Sequence, residues 1–233
     1  MSDFVQSGVP GVTKSDVGHT YATPVGDLPI SSQRLESRAP ASLAMARRTP
    51  ENRLADSGTL LATIHHLDGG LPVRLRLTRP SDSTRVRDFL ERLSPETRQR
   101  RFLSPMPRVP EAAVDHFTFY DPRARLVIAA TAPGEGGEQV IGLGDVGFLS
   151  TGIAEIGLVV EEAHQSRGVG KLVAEAIASL AQSRGATHLK AEMLDSSPAV
   201  LRVLGSIGPT IREIEDGHAV AYAKLPARTS WAA

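Results

Sequence analysis

The segment Gln165–Lys171 has residue types and a position that suit phosphate binding. It follows the apolar run Ile153–Val160 and leads into an amphipathic stretch, so a strand should precede it and a helix should begin inside it. A helix N-terminus presents unpaired backbone N–H groups and the positive end of its dipole, and glycine lets the backbone approach an anion closely. Arg167 or Lys171 could add a charged contact. An ordinary strand-to-helix turn with convenient glycines would give the same pattern.

Glu155 is the one acidic residue inside the apolar run Ile153–Val160. A carboxylate buried among apolar side chains has a raised pKa and can act as a general base near neutral pH. Glu155 could instead lie on an edge strand and face solvent, or pair with an arginine from the basic stretch 74–108. The two acids after the run, Glu161 and Glu162, are expected to be solvated.

A second glycine motif and a histidine pair are weaker candidates for a dinucleotide-binding site and a metal site, respectively. The spacing Gly142-x-Gly144-x-x-Gly147 is that of a dinucleotide-binding turn, but the residues after it cannot continue as a helix. We therefore expect these glycines to lie in a strand, at a bulge or a close backbone approach. His65-His66 has no further ligand at a useful spacing, and the sequence predicts no metal site.

The composition excludes several classes of protein. The 233 residues include no cysteine, which removes disulfide frameworks, thiolate metal sites and cysteine nucleophiles. The 26 basic and 26 acidic residues balance, whereas nucleic-acid-binding proteins usually have a basic excess. No apolar run approaches the roughly 20 residues of a membrane span, and the N-terminal MSDFVQSGVP lacks the features of a secretory signal. We expect a cytoplasmic protein that binds neither nucleic acid nor membranes.

The rest of the sequence supplies the elements that must hold these residues. Alternating or continuous apolar runs predict strands, and apolar residues at helical spacing with capping signals predict helices. The predicted strands are Val73–Leu77, Leu126–Ala132, Gln139–Leu149, Ile153–Val160, Leu189–Met193 and a hairpin of Ile211–Glu215 with His218–Lys224. The predicted helices begin near Ser81, at Ser94-Pro95, in the glycine loop and at Ser197-Pro198. This order indicates an α/β (α+β) domain with a mixed sheet.

The N-terminal quarter of the chain differs in composition from the rest. Of residues 1–60, 23 are Ser, Thr, Pro or Gly, and the apolar residues follow no period. Such a stretch buries too little to offset the entropy of ordering it, so we predict an extended or disordered arm with a short helix around Ala41–Arg48. The working domain is then residues 61–226, and residues 227–233 form a C-terminal tail.

The glycine loop and the strand before it resemble the signature of a known superfamily. Gln165-x-x-Gly168-x-Gly170 after Leu158-Val159-Val160 resembles the motif of the GNAT superfamily of N-acetyltransferases, and the element order is similar to that fold, whose sheet is mainly antiparallel. The resemblance implies acetyl-CoA as acyl donor, with the strand beside its pantetheine arm and irregular strand pairing after Val160. The residues that it assigns to the donor are Leu158, Val159, Val160, Gln165, Ser166, Arg167, Gly168, Val169, Gly170, Lys171 and Ser197.

Further blocks narrow the resemblance. Arg92–Arg98, Ala154–Val160 and Ala191–Leu194 are similar to the GNAT domains of bacterial protein-lysine acetyltransferases, in which the acid matching Glu155 is the general base. The resemblance implies direct acetyl transfer in a ternary complex, to a protein lysine or to a small amine. Residues 74–108 hold ten arginines and four acids, which would suit an acidic protein surface or simply form a solvated helix face.

The chain departs from the family pattern at the late helix. Many members place a tyrosine there as general acid, but the matching place is near Leu204, and no tyrosine lies between Tyr120 and Tyr222. Ser197 replaces an asparagine, and Gly208-Pro209 replaces Gly-Phe. These differences motivate a third hypothesis, a catalytically weak acyl-CoA-binding sensor or docking module. The oligomeric state stays open.

Overall fold

A mixed eight-stranded sheet carries every other element of the fold. The computed structural model describes residues 57–149, 152–194, 197–215 and 218–227, which all belong to one compact unit. Within these residues the strands are β1 Ile64–Leu67, β2 Leu71–Leu77, β3 Arg125–Gly134, β4 Gly137–Phe148, β5 Ile153–Val160, β6 His188–Met193, β7 Thr210–Glu215 and β8 His218–Lys224. The helices are α1 Ser57–Ala62, α2 Ser83–Arg92, α3 Pro95–Phe102, α4 Glu111–Thr118, α5 Val169–Ser183 and α6 Pro198–Ile207.

The strand order is β1-β2-β3-β4-β5-β6-β8-β7. Neighbouring strands are antiparallel except β5 and β6, which run parallel. A parallel pair needs a crossover connection, and α5 supplies it. The prediction of a mixed, mainly antiparallel sheet flanked by helices is confirmed.

Two apolar cores cover the two faces of the sheet. On one face α5 and α6 pack over side chains that include Ala154, Ile156 and Val160 of β5. On the other face α2 and α4 pack over side chains that include Val159 and Leu143. Side chains alternate along a strand, so the odd-numbered residues of β5, Glu155 among them, face α2 to α4.

The predicted helix starts were right for α3 and wrong for α2. Ser94 caps α3, since its Oγ accepts a hydrogen bond of 3.1 Å from the N–H of Thr97. Ser81 does not cap α2; it lies in a 3-10 turn, and α2 begins at Ser83 with Asp82 in the cap position. The carboxylate of Asp82 instead pairs with Arg76 at 2.8 Å, which fastens this turn to β2.

Three short elements were not predicted. These are α1, β1 and α4, which are four to eight residues long and lack a full apolar period. Residues 57–60, predicted to belong to the arm, instead form most of α1, and Leu60 is buried against the core. The helix expected around Ala41–Arg48 lies outside the described residues.

The glycines of β4 mark both a bulge and a close approach, as predicted. Ala130 pairs with Gly142 but Thr131 pairs with Val140, so one residue of β4 is left without a partner between them. A Cβ on Gly144 would lie 2.5 Å from Val173 Cγ1 of α5. The motif stays within a strand and opens no helix, so the dinucleotide interpretation does not apply.

No helix within the described ranges is long and apolar enough to cross a membrane.

We predict that Gly144→Ala lowers the free energy of unfolding by about 1–3 kcal/mol, because the new methyl group overpacks the contact between β4 and α5. Chemical denaturation measures this change. Gly136→Ala is the matched control, because a Cβ at this exposed turn position meets nothing within 4 Å. Equal stability of the two variants would contradict the close approach of α5.

Candidate active site

Strands β5 and β6 separate soon after they begin. They pair at three positions, Ile153 with His188, Ala154 with Leu189 and Glu155 with Lys190. Both strands continue beyond this point without pairing to each other, β5 as far as Val160. The predicted irregular strand pairing is present, but β5 and β6 separate after Glu155 rather than after Val160. The interior of the sheet therefore contains a wedge-shaped gap.

The backbone of β5 is unpaired along one side of this gap. The N–H of Glu161 donates to Ile141 of β4, and strand alternation then directs the backbone of the other odd-numbered residues toward β4 as well. The backbone groups of Leu158 and Val160 point into the gap, whereas those of Val159 face β4. Gln165 Nε2 donates to the carbonyl of Val160 at 2.9 Å, so this side chain closes the end of the gap.

The glycine loop places free backbone donors beside the same end of β5. Its chain turns through two left-handed residues, Ser166 at φ +58° and Gly168 at φ +89°. The first hydrogen bond of α5 is from Leu172 N–H to the Gly168 carbonyl, at 3.0 Å. The N–H groups of Val169, Gly170 and Lys171 precede it and have no partner within the helix. This arrangement suits an anion such as a pyrophosphate.

The two basic side chains of the loop do not point into the anion site. The guanidinium of Arg167 lies 3.4 Å from the carbonyl oxygen of Asp68, in the turn between β1 and β2. Lys171 is exposed and lies 3.8 Å from Glu175 one turn along α5. The backbone N–H groups, rather than these side chains, are therefore the donors that the loop offers to an anion.

Gly170 lies where β5, α5 and α6 converge. A Cβ at this residue would lie 3.7 Å from Leu158 Cδ2 and Val160 Cγ2, and 3.9 Å from Val203 of α6. Ser197 precedes α6 and is half-buried, but its hydroxyl makes no capping hydrogen bond.

The position that could carry a tyrosine is used for packing. Leu204 is 1 % exposed and belongs to the core between α6 and the sheet. Tyr222 of β8 pairs with Lys190, so it lies on the same face of the sheet as Glu155, two strands away.

Glu155 lies on an interior strand, between Gly147 of β4 and Lys190 of β6. Its half-buried side chain makes no hydrogen bond and no ion pair within the part of the chain that the structure describes. Burial, and then the negative charge of Glu192, raise the pKa of Glu155, against the opposing charges of Lys190 and Arg125. Lys190 Nζ is paired with Glu192 at 2.9 Å. Glu155 is thus neither an edge-strand acid nor the partner of an arginine.

A buried charged cluster, which the sequence pattern did not predict, lies on the same face of the sheet. Asp145 of β4 forms an ion pair with Arg101, and its Oδ2 lies 3.4 Å from His116 Nε2. Arg125 donates to His116 Nδ1 at 2.8 Å. Burial alone would raise the pKa of Asp145, but Arg101 and His116 hold it below its ordinary value. The signal was one charged residue inside the apolar strand Val140–Phe148.

Gly157 makes room for this cluster. A Cβ there would lie 2.5 Å from Arg101 Nη2 and 2.8 Å from Asp145 Oδ1. Asp145 pairs with Gly157, and Gly147 pairs with Glu155, so the two carboxylates are diagonal neighbours on adjacent strands. The cluster fastens α3 and α4 to the sheet directly beside the candidate base.

The acids after β5 are bound within the protein. Glu161 is not solvated as expected; Arg92 Nε donates to its carboxylate at 2.9 Å, and its side chain is 12 % exposed. Glu162 is exposed and accepts a hydrogen bond of 3.0 Å from the N–H of Ser94. Although burial opposes the change, hydrogen bonds from Ser94 and Thr97 lower the pKa of Glu162 to about 2.

His65 has a structural role, and His66 is exposed. His65 Nε2 lies 2.8 Å from the carbonyl oxygen of Leu60 and links β1 to α1. Among the residues that the structure describes, no three His, Asp or Glu side chains form a group that could hold a metal ion.

A sequence profile described as "Acetyltransferase (GNAT) family" matches residues 87–206, which is more than half of the chain. The chain therefore belongs to the GNAT family of acetyltransferases. The match covers the gap, the glycine loop and Glu155.

Solved structures agree with this assignment. The chain is similar to the GNAT domain of S. lividans PAT, with 29% identity and a TM-score of 0.62 over 70% of this chain and 96% of that domain. An acetyltransferase of the GNAT family from Streptococcus pneumoniae has 16% identity and a TM-score of 0.51, covering 66% and 99%. The ribosomal-protein-S18-alanine N-acetyltransferase from Escherichia coli has 12% identity and a TM-score of 0.50, covering 69% and 99%. The last two likenesses concern the fold alone. No curated protein matches the chain.

We predict that Gly168→Ala weakens acetyl-CoA binding about tenfold. An alanine in the left-handed region costs roughly 1–2 kcal/mol, and the loop would relieve this strain by changing its conformation. Calorimetry measures the dissociation constant. Gly185→Ala is the matched control: this glycine has φ +87° at the other end of α5, with nothing near its Cβ. The control should lose stability and keep its affinity, and equal affinities would contradict the role of the loop.

Proposed function

We propose that this protein is an acetyl-CoA-dependent N-acetyltransferase that moves the acetyl group directly to an amine in a ternary complex, with Glu155 as general base. One observation carries the proposal. The strand lines the gap with the backbone groups of Leu158 and the N–H of Val160, none of which is paired with β6. Three residues before Leu158 it also holds a half-buried carboxylate without a hydrogen-bonding partner. Donor and base are therefore positioned by a single rigid element.

The residues fit acetyl-CoA as a donor. The pantetheine arm is an extended chain with two amides, and the open edge of β5 offers backbone donors and acceptors in the same direction. The pyrophosphate would bind the N–H groups at the start of α5, from Val169 to Lys171. Gln165 shapes the end of the gap through its bond to Val160, and Ser197 would face the donor from α6.

The reaction needs a neutral amine, because an ammonium group has no lone pair. Glu155 removes the proton, directly or through one water molecule, and the amine nitrogen then forms a bond to the acetyl carbon. The carbon–sulfur bond breaks, and the CoA thiolate leaves. With Leu204 in the core in place of a tyrosine, the thiolate takes its proton from solvent or another group. Backbone N–H groups beside the gap stabilise the negative charge that develops on the thioester oxygen.

A protein lysine is the acceptor that we propose. The similarity to the GNAT domain of S. lividans PAT supports it, together with the sequence blocks described above. The basic segment 74–108 gives less support than expected, because five of its ten arginines form ion pairs within the protein. These are Arg76, Arg85, Arg87, Arg92 and Arg101. A small amine as acceptor, and a sensor without turnover, are alternative outcomes of the same assays.

We predict that Glu155→Gln keeps acetyl-CoA affinity within a few-fold and slows transfer by about 10²- to 10⁴-fold, since the amide cannot accept the proton. Calorimetry gives the affinity, and release of CoA with lysine peptides, proteins and small amines gives the rate. Glu135→Gln, in the exposed turn before β4, is the control. Unchanged transfer by Glu155→Gln would refute the base. Tight donor binding by the wild type without turnover on any acceptor would identify a sensor.

The raised pKa of Glu155 predicts a pH dependence. A base must be ionised to act, so kcat/KM falls as pH decreases through this pKa, which lies above the ordinary 4.5 of a glutamate. Glu192→Gln removes a neighbouring negative charge and leaves Lys190, so the acidic limb of the profile should move to lower pH. The wild type and Glu192→Gln are measured with the same acceptor, so that the ionisation of the amine affects both profiles equally. A limb that stays in place would contradict the assignment.

A further inference from the structure

Arg98 of α3 is a buried arginine without a partner. It is 9 % exposed, and its Nε is fully buried with no hydrogen-bond partner. Within the described residues its guanidinium forms no hydrogen bond, ion pair or aromatic contact, while Arg101, one turn further along α3, has Asp145. A guanidinium stays charged at any ordinary pH. Partial burial of such a charge without an anion is unfavourable. The Nη atoms of Arg98 are not among the fully buried unpartnered atoms, so they remain accessible to a ligand.

The contacts of α3 place Arg98 over the second half of β5. At one end of the helix, the N–H of Ser94 binds the carboxylate of Glu162, just beyond β5. At the other end, Arg101 lies over Gly157. Residues three apart share one face of a helix, so Arg98 faces the sheet between these two contacts. Along this stretch, one edge of β5 pairs with β4 and the edge toward β6 is open to the gap.

The nearby acids are already engaged. Glu161 is bound by Arg92, Glu162 by Ser94, and Asp145 by Arg101. Glu155 forms no ion pair with Arg98 or with any other residue that the structure describes. No carboxylate of the described residues is thus paired with this guanidinium, and a bound molecule would supply its partner.

We propose that Arg98 binds a carboxylate of a substrate, beside the acyl-transfer centre. The inference rests on the proposed function, which sets the reacting groups along β5. A carboxylate matches the planar guanidinium with two parallel hydrogen bonds. The phosphates of the donor have the start of α5 as their own site. The carboxylate has two sources: an acidic residue next to the acceptor lysine, or a dicarboxylic acyl group on CoA.

Two pairs of probes distinguish these sources. The acceptor pair consists of two lysine peptides that differ in one residue beside the lysine, aspartate or asparagine, with acetyl-CoA as donor. The donor pair is succinyl-CoA and butyryl-CoA, which differ in the terminal carboxylate, with the asparagine peptide as acceptor. Each pair is measured by kcat/KM and also by calorimetry, with peptides titrated onto the enzyme–CoA complex.

The variants are made in the full chain. Arg98→Met removes the charge and keeps the length of the side chain, and Arg98→Lys keeps the charge. Arg100→Met is the matched control, because Arg100 is exposed on the same helix. In the wild type we expect a preference of about 10- to 100-fold for the carboxylate in one of the two pairs. It should fall to near unity in Arg98→Met, be partly kept in Arg98→Lys and be unchanged in Arg100→Met.

Several results would overturn the proposal. One is a wild type without carboxylate preference in either pair, and another is a preference that survives in Arg98→Met. A third is equal loss of affinity for CoA and all acyl-CoAs in Arg98→Met, which would assign Arg98 to the phosphates of the donor. A clear loss of thermal stability in Arg98→Met would indicate a structural role, since removal of an unpaired buried charge should not destabilise the fold. Carboxylate-selective binding without acetyl transfer would refute the proposed function and leave this inference standing.

Discussion

The separation of β5 from β6 is the constraint on which the rest of the structure depends. Two parallel strands in mid-sheet ordinarily satisfy each other's backbone groups along their whole length, and buried unpaired groups are costly. Here the pairing stops after three residues. The open groups of β5 must then bind either water or a ligand with the same spacing, so the gap is stable as a binding site and unfavourable as part of a dry core.

Close packing on both faces keeps this gap in place. On one face, Gly144 lets α5 approach β4, and this approach sets the distance between the sheet and the loop at the start of α5. On the other face, Gly157 admits the Arg101–Asp145 pair, which fastens α3 to the sheet. At each of these glycines, side chains from a neighbouring element occupy the space that a Cβ would fill. The glycines of β4 and β5 therefore allow close packing.

The strongest local patterns were sufficient to predict β5 with its boundaries, and a helix that begins in the loop after it. They were sufficient because a continuous apolar run, paired glycines and a helical stripe are each encoded within one short segment. The point at which β5 leaves β6 was not predictable, since it depends on strands 35 residues apart in the chain. The same holds for Asp145, whose surroundings come from α3, α4, β3 and β5. The residue types of Asp145 and Arg98 by themselves suggest only solvent exposure.

The alternation along β5 has a consequence for amino-acid substitutions. Backbone groups of the even-numbered residues open to the gap, whereas side chains of the odd-numbered residues face α2 to α4. In the function proposed above, the donor is recognised through the backbone, and this recognition does not depend on which side chains are present. Substitutions among the side chains that face α2 to α4 would then change the surroundings of Glu155 and leave the donor contacts unaltered.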